Sequence, residues 1–195
     1  HTERDIERLL DVPGPREGLA PHKSWYQVPF RDRAILEVMY GTGIRVSELT
    51  QLRLSDVESD LSEIQVLGKG RKSRRIPLTS SAQKALEQYL LRPRPILAAQ
   101  TEIPPEEVFL SNTGRSLSRH AIKKIVQKHA LRAGLENLHP HSLRHAFASH
   151  LVQNGADLRS VQELLGHSDI RTAEWYARLF HPGKQDHHRT HHPRE

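Results

Sequence analysis

HPHSLRHAFASHLVQNGADLRSVQELLGHSDIRTAEWYARLF, residues 139 to 180, is the stretch whose reading decides the fold. With Ser142 as a helix start and Gly155 just past its end, Leu143, Ala146, Phe147 and Leu151 fall at i, i+3, i+4 and i+8 and form one apolar stripe. His141, Arg144 and His145 are left around the first turn. A second helix is predicted from the N-cap Asp157 to Gly166, with Leu158, Val161, Leu164 and Leu165 on one face. Gly166 then sets His167 on a corner. A third helical pattern opens at Ser168 or Asp169 and carries Tyr176 two turns in. Imidazoles, a guanidinium and a phenol gathered by tight turns are an unusual inventory for a mere surface.

Composition limits what those groups can serve. The 195 residues make one ordinary globular domain, with room for a small appendage, and suffice to bury a substantial core. A net charge of +6 favours polyanions such as nucleic acid or an anionic membrane, although a modest basic excess is common in bland proteins too. With no cysteine, disulfides and thiolate chemistry are excluded. No apolar run approaches membrane-spanning length and HTERDIERLL is not a signal peptide; the chain begins at His rather than Met, so it reads as a fragment or trimmed form of a cytoplasmic protein.

Working outward from the N-terminus, Thr2 is placed to cap a helix through Ile6, Leu9 and Leu10, followed by a proline- and glycine-rich loop over 11 to 29. Arg31 to Tyr40 reads as a helix stopped by Gly41-Thr42-Gly43, and Arg45 opens the next short helix beside that turn, with Val46, Leu49 and Leu52 inward. EIQVL (63 to 67) and SRRIPL (73 to 78) are strand-like, joined by a basic tip, so a β-hairpin is expected. The tip is either a solvated edge or a ligand-facing loop. Gly68 and Gly70 on either side of Lys69 favour the second, since they let the backbone approach a ligand. A helix from Ser81 to Arg92 is expected to bury Ala85, Leu86, Tyr89 and Leu90, and the prolines from 93 to 105 bracket a connection. Val108-Phe109-Leu110 has the character of a short strand before a turn at Asn112-Thr113-Gly114. Ser118 caps a helix ending at Gly134, with Ile122, Ile125, Val126 and Ala130 inside and Arg119, His120, Lys123, Lys124 and Lys128 mostly outside. That outer side suits phosphates or a major groove, and equally suits a solvated face.

The chemistry narrows by elimination. Neither HExxH nor a cysteine set is present, and Arg144 puts a cation three residues from His141, so no metal site is expected. GxSxG and the P-loop are missing as well. What remains is a set of donors, Arg45, Lys69, His141, Arg144 and His167, with one phenol, Tyr176. Such donors suit a phosphodiester, whose extra charge in a pentacovalent transition state they stabilise. A tyrosine of ordinary pKa, about 10, can attack phosphorus when the phosphate is neutralised and a neighbour takes its proton.

GTGIRVSEL (41 to 49), LGKGRKSRRIPL (67 to 78), HPHSLRHAFASHL (139 to 151) and GADLRSVQELLGHSDI (155 to 170) together resemble the boxes of the tyrosine recombinases, of the Xer type, in family order. The resemblance implies a mainly α fold with a small antiparallel β-sheet at one edge, the tyrosine recombinase catalytic-domain fold. It implies Arg45 and Arg144 as phosphate clamps and His141 and His167 as phosphate hydrogen-bonding groups that assist proton transfer. Lys69 becomes the general acid for the departing 5′ oxygen, and Tyr176 the nucleophile that leaves a 3′-phosphotyrosine. His145 is given no catalytic role. Arg71, Lys72, Arg74, Arg119, Lys123 and Lys124 are the expected DNA contacts.

By the same resemblance residues 1 to 180 are the catalytic domain and 181 to 195 a tail, either solvated or docked on a neighbour, with the family's preceding DNA-clamping domain outside this chain. The implied partners are a double-stranded recombination site, a homo- or hetero-tetramer formed on it from monomers, and a DNA translocase or accessory factor. No cofactor, no metal and no membrane are implied, and the location is the cytoplasm, at the nucleoid. The chain departs from the family around its tyrosine, where RTAEWYAR (171 to 178) stands in place of the common STTxxYTH. The tail also contains no aliphatic or aromatic residue. Two rival readings share these features: relaxation of supercoils in the manner of a type IB topoisomerase, and a non-cleaving DNA-binding partner in a recombination assembly.

Overall fold

The computed structural model describes residues 1–14, 24–68 and 73–166. It falls into two compact units, residues 1–147 and 148–195, with the boundary inside one helix. The expected boundary at 180, the third helix with Tyr176, and the tail lie outside the described residues.

In the first unit the chain runs through α1 (Glu3–Asp11), α2 (Val28–Thr42), α3 (Val46–Gln51), β1 (Glu63–Leu67), β2 (Ser73–Pro77), α4 (Ser80–Leu91), α5 (Pro93–Ala98) and α6 (Arg119–Arg132), and enters α7 (Pro140–Gln153). α1 is capped as its sequence predicts. Thr2 Oγ1 accepts from the Asp5 N–H at 3.2 Å, and the Thr2 N–H donates back to Asp5 Oδ2 at 2.9 Å. Ser118 caps α6 through its side chain, its Oγ accepting from the Ala121 N–H at 3.2 Å.

α2 is the centre of this unit. Ala34, Ile35, Leu36, Val38 and Met39 are fully buried, and the helix packs against α1, α4, α5 and α6. It begins at Val28 rather than Arg31, because Pro29 falls in the first turn, where its missing N–H costs no hydrogen bond. The hairpin matches its sequence: β1 and β2 pair antiparallel, with Ile64 opposite Ile76 and Val66 opposite Arg74. It is the only sheet among the described residues, so the fold is mainly α with one small antiparallel sheet.

Two expectations need correcting. The prolines after α4 do not merely break the chain, since Pro93 starts α5 at a position that tolerates proline. Residues 108–110 are buried but form no strand, only isolated bridges, Arg53 with Glu107 just before the segment and Leu110 with Ser116 at its end. Buried polar side chains take over the work of a ladder there. Tyr89, stacked on Phe109, donates to the Val108 carbonyl and accepts from the Leu110 N–H, both at 3.1 Å. Arg94 donates to the carbonyls of Pro105, Glu107 and Val108, and Arg31 to that of Leu110.

Asp32 sits at 0% exposure in the middle of this arrangement. Arg31 grips its Oδ1 at 3.0 and 2.6 Å, while Lys128 Nζ at 2.6 Å and His129 Nε2 at 2.8 Å reach Oδ2 from α6. Burial alone raises this carboxyl, but the His129 hydrogen bond and the Arg31 and Lys128 charges outweigh it and pull it down to about 2.

In the second unit, α7 continues to Gln153, Gly155 turns the chain at φ 90°, and α8 (Leu158–Leu165) starts from Asp157, whose carboxylate accepts from the Ser160 N–H at 3.0 Å. Val161 and Leu165 are its buried residues. No helix among the described residues is long and apolar enough to cross a membrane.

Since the folded carboxyl of Asp32 titrates near 2 against 3.8 for a free one, its ionic stabilisation is complete above pH 4 and lost as pH falls towards 2. The window corresponds to roughly 2 kcal/mol. Urea unfolding of the chain at pH 7, 4 and 2.5 is expected to show that loss. Asp32→Asn is expected to be less stable at pH 7 by about 3 kcal/mol, through the unpaired buried cations, and to have a flatter acid limb.

Candidate active site

The turn after α2 is built from small residues for a steric reason. A Cβ at Gly41 would stand 2.8 Å from Thr79 Oγ1 and 3.3 Å from Thr79 Cγ2, so a glycine there lets α2 lie close against the start of α4. Thr42 Oγ1 donates to the Val38 carbonyl at 2.6 Å and accepts from the Ile44 N–H at 3.2 Å. Gly43 then takes φ 60°, the left-handed conformation that ends helices, and its N–H donates to the Met39 carbonyl. The chain leaves this cap at a fixed angle and reaches Arg45, the extended N-cap residue of α3.

Arg45 is held from below by Glu48, one turn into α3. The Glu48 carboxylate accepts from the Arg45 backbone N–H at 2.9 Å and from Arg45 Nη1 at 3.1 Å. Arg74 approaches the same carboxylate from β2 and donates through both terminal nitrogens, at 2.8 and 2.9 Å. Burial raises the Glu48 carboxyl, yet the Arg74 hydrogen bonds, the Arg45 N–H and the two guanidinium charges outweigh burial and leave it below the ordinary glutamate range. Glu48 is therefore an anion buried between two arginines.

α7 delivers the remaining groups. It starts at Pro140 rather than Ser142, with His139 in the N-cap role: the Ser142 N–H donates to His139 Nδ1 at 3.2 Å, and the His139 N–H donates to Ser142 Oγ at 3.3 Å. Pro140 in the first turn has no N–H to leave unpaired. Leu143, Ala146 and Phe147 are buried as predicted, which turns His141 and His145 outward. The His139 and His141 rings meet edge to face with centroids 6.4 Å apart. Burial, followed by the nearby His141, Arg144 and His139, lowers the pKa of His145. Arg144 crosses to the turn and donates from Nη1 to the Gly43 carbonyl, two residues from Arg45. Arg144 is thus brought from a distant part of the sequence to the turn that leads into Arg45, with His141 three residues before it on α7. Such a cluster attracts an oxyanion.

Of the other expected site residues, Arg119, Lys123 and Lys124 are exposed on α6. Arg74, expected to face DNA, is instead turned inward onto Glu48, with 14% of its side chain exposed. Lys69, Arg71, Lys72, His167 and Tyr176 lie outside the described residues. Glu48 was missed, although an acid three residues after an N-cap is a legible capping pattern.

The chain matches the phage integrase family over residues 2–181. It belongs to that family. A phage integrase of the Xer type, tyrosine recombinase XerD of Listeria innocua, is 46% identical over 192 residues, which cover 98% of this chain and 64% of that one. The chain thus spans a little under two thirds of that relative's length. The crystal structure of XerA recombinase superposes at TM-score 0.74 with 28% identity, covering 100% of this chain and 66% of that one. XerH bound to a palindromic difH substrate, in a post-cleavage complex, gives TM-score 0.74 at 26% identity, covering 96% of this chain and 51% of that one. The tyrosine recombinase fold implied by the four sequence boxes is the fold these phage integrase relatives share.

The glycine at the head of the site carries a measurable constraint. Gly41→Ala is expected to push Thr79 off its cap position on α4, where its Oγ1 accepts from the Ala82 N–H. Overpacking of this kind costs about 1–3 kcal/mol, more than the helix propensity gained from alanine. A rise in the urea midpoint of Gly41→Ala would contradict the close approach.

Proposed function

We propose that the chain cleaves and rejoins DNA strands at specific sites through a 3′-phosphotyrosine intermediate, as a tyrosine recombinase. The observation that carries this reading is Arg144 seated on the Gly43 carbonyl beside Arg45, with His141 on the same first turn, in a chain of the phage integrase family. Two guanidiniums at one turn match the non-bridging oxygens of a phosphodiester, which they neutralise and hold.

The remaining roles complete a balanced reaction. The Tyr176 oxygen attacks phosphorus, a Tyr–O–P bond forms and the P–O5′ bond breaks. Lys69 gives its proton to the departing 5′ oxygen, and His141 and His167 hydrogen-bond the phosphate and assist removal of the tyrosine proton. Because the phosphotyrosine bond preserves the energy of the bond broken, a partner strand's 5′ hydroxyl can reverse the step without ATP. Arg119, Lys123 and Lys124 on α6, with Arg71 and Lys72, are assigned to the DNA backbone. The relative XerH, which carries its difH substrate, supports a DNA duplex as the partner. Exchange of both strands of two duplexes needs four cleavages. With one nucleophile per chain the reaction calls for four protomers on DNA, all of this chain or some of a related one. Residues 1 to 180 form the catalytic domain and 181 to 195 the tail in this reading.

The test is a duplex recovered by binding selection from a randomised pool and rebuilt with a nick beside the cleaved phosphate, so that the freed 5′ end is lost. A covalent protein–DNA adduct is expected from the chain and none from Tyr176→Phe. An equal yield from both would end the proposal.

Binding should also follow the salt law of phosphate contacts. The logarithm of the association constant is expected to fall linearly with the logarithm of salt concentration, and Lys123→Ala with Lys124→Ala to lower that slope by up to roughly 2. An unchanged slope in a gel-shift titration would remove both lysines from the interface.

A further inference from the structure

Glu48 poses a problem for a phosphate site. A carboxylate bound to a clamping arginine competes with the phosphate for the guanidinium, and the isolated pair of Arg45 and Glu48 has no net charge. Arg74 resolves it. On β2, side chains alternate between faces, and Arg74 shares the inward face with Ile76, where the strand pattern calls for an apolar residue. Its guanidinium donates to Glu48 through both terminal nitrogens. Glu48 Oε1 accepts from Arg45 Nη1 and Arg74 Nη1, and Oε2 accepts from the Arg45 N–H and Arg74 Nη2. Four bonds meet the full accepting capacity of a carboxylate.

We propose that Arg74 is a positioning residue for the phosphate site at Arg45: by gripping Glu48 through both terminal nitrogens, it lets that carboxylate orient Arg45 while the trio keeps one net positive charge for the phosphodiester. The inference rests on the reading of Arg45 as a phosphate clamp. It replaces a direct DNA contact by Arg74 with an effect transmitted through Glu48 and Arg45. The neighbouring Arg75 lies on the opposite face of the strand, exposed and paired with Glu58 and Glu63, so it provides an internal control of identical charge.

The experiment measures the single-turnover rate of adduct formation on the nicked duplex, with either an ordinary phosphate or a neutral methylphosphonate at the cleaved position. Arg74→Gln is expected to slow cleavage of the phosphate roughly tenfold or more, and of the methylphosphonate by less than about threefold, because the neutral group no longer needs the charge. Adding Glu48→Gln to Arg74→Gln restores the net charge and is expected to recover most of the lost rate. Arg75→Gln is expected to leave the rate within about twofold of the parent.

Equal losses on the two substrates, a double variant slower than Arg74→Gln, or an Arg75→Gln defect as large as that of Arg74→Gln would each overturn the proposal. Circular dichroism melting checks each variant. Should Arg74→Gln not fold, the double variant, which leaves no buried carboxylate unpaired, decides alone: a phosphate rate near the parent's supports the proposal and a roughly tenfold loss overturns it. Failure of the underlying reading is distinguishable, since then the unsubstituted chain gives no Tyr176-dependent adduct.

Discussion

The left-handed turn at Gly43 is the constraint on which the described part of the site depends. α2 is buried along most of its length and cannot shift without disturbing its packing. Its last turn is pressed against α4 through the missing side chain of Gly41, which fixes the height at which the helix ends. Gly43 then turns the backbone at φ 60°, aims its own carbonyl at Arg144 and directs the next two residues into the N-cap of α3. One piece of backbone receives Arg144 and leads into Arg45. A Cβ at Gly43 would raise the energy of this conformation by roughly 1 kcal/mol or more, and the cost would fall on the geometry of both arginines.

Of the buried carboxylates, Asp32 and Glu48 tie separate elements together, and they do so differently. Asp32 joins neighbouring Arg31 to Lys128 and His129 from α6, and so fixes how α6 lies against α2. Glu48 joins the start of α3 to the hairpin. Ion pairs of this kind add little net stability because desolvation consumes the Coulomb gain, but losing one partner leaves a charge buried without compensation. Each carboxylate is bound by more cations than it can neutralise. Around Asp32 the excess is spread between the core and Lys128, which is partly exposed. Around Glu48 it remains next to the turn that collects Arg45 and Arg144.

Local pattern made much of this legible. The hairpin followed from alternation in EIQVL and SRRIP, α1 and α6 from Thr2 and Ser118, and α8 from Asp157. The cationic residues proposed for the site stand out in the sequence because they sit in short boxes whose order resembles a family. What stayed hidden was made by pairing across the chain. Asp32 finds His129 97 residues away, and Arg74 finds Glu48 at a separation of 26, distances over which periodicity carries no information. α5 was missed because proline was read only as a breaker, when it is also a good first residue of a helix. The apolar residues of 108–110 suggest a strand, yet side chains of Tyr89, Arg94 and Arg31 satisfy part of its backbone, while the Val108 N–H donates to the Leu52 carbonyl and the Phe109 carbonyl accepts from the Leu117 N–H. The inward parity of Arg74 was the one long-range signal available: a charge on the buried face of a strand requires an acid within the fold.

Both arginines at the turn are already restrained without DNA, Arg144 by a carbonyl and Arg45 by an acid. An unrestrained arginine loses about 2 kcal/mol of rotamer freedom when fixed. Here much of that loss belongs to folding, so in the proposed reaction less would be taken from the binding of a phosphate or from the step that raises its charge. The same restraint explains why arginine suits position 144 better than lysine. A planar fork can commit one nitrogen to the Gly43 carbonyl and keep its orientation, whereas a single ammonium tied to that carbonyl would have its charge drawn back into the turn. Donors fixed before charge develops stabilise it more effectively than donors that must reorganise, and for the proposed reaction, in which the phosphoryl oxygens gain negative charge, that advantage falls on the rate rather than on the grip.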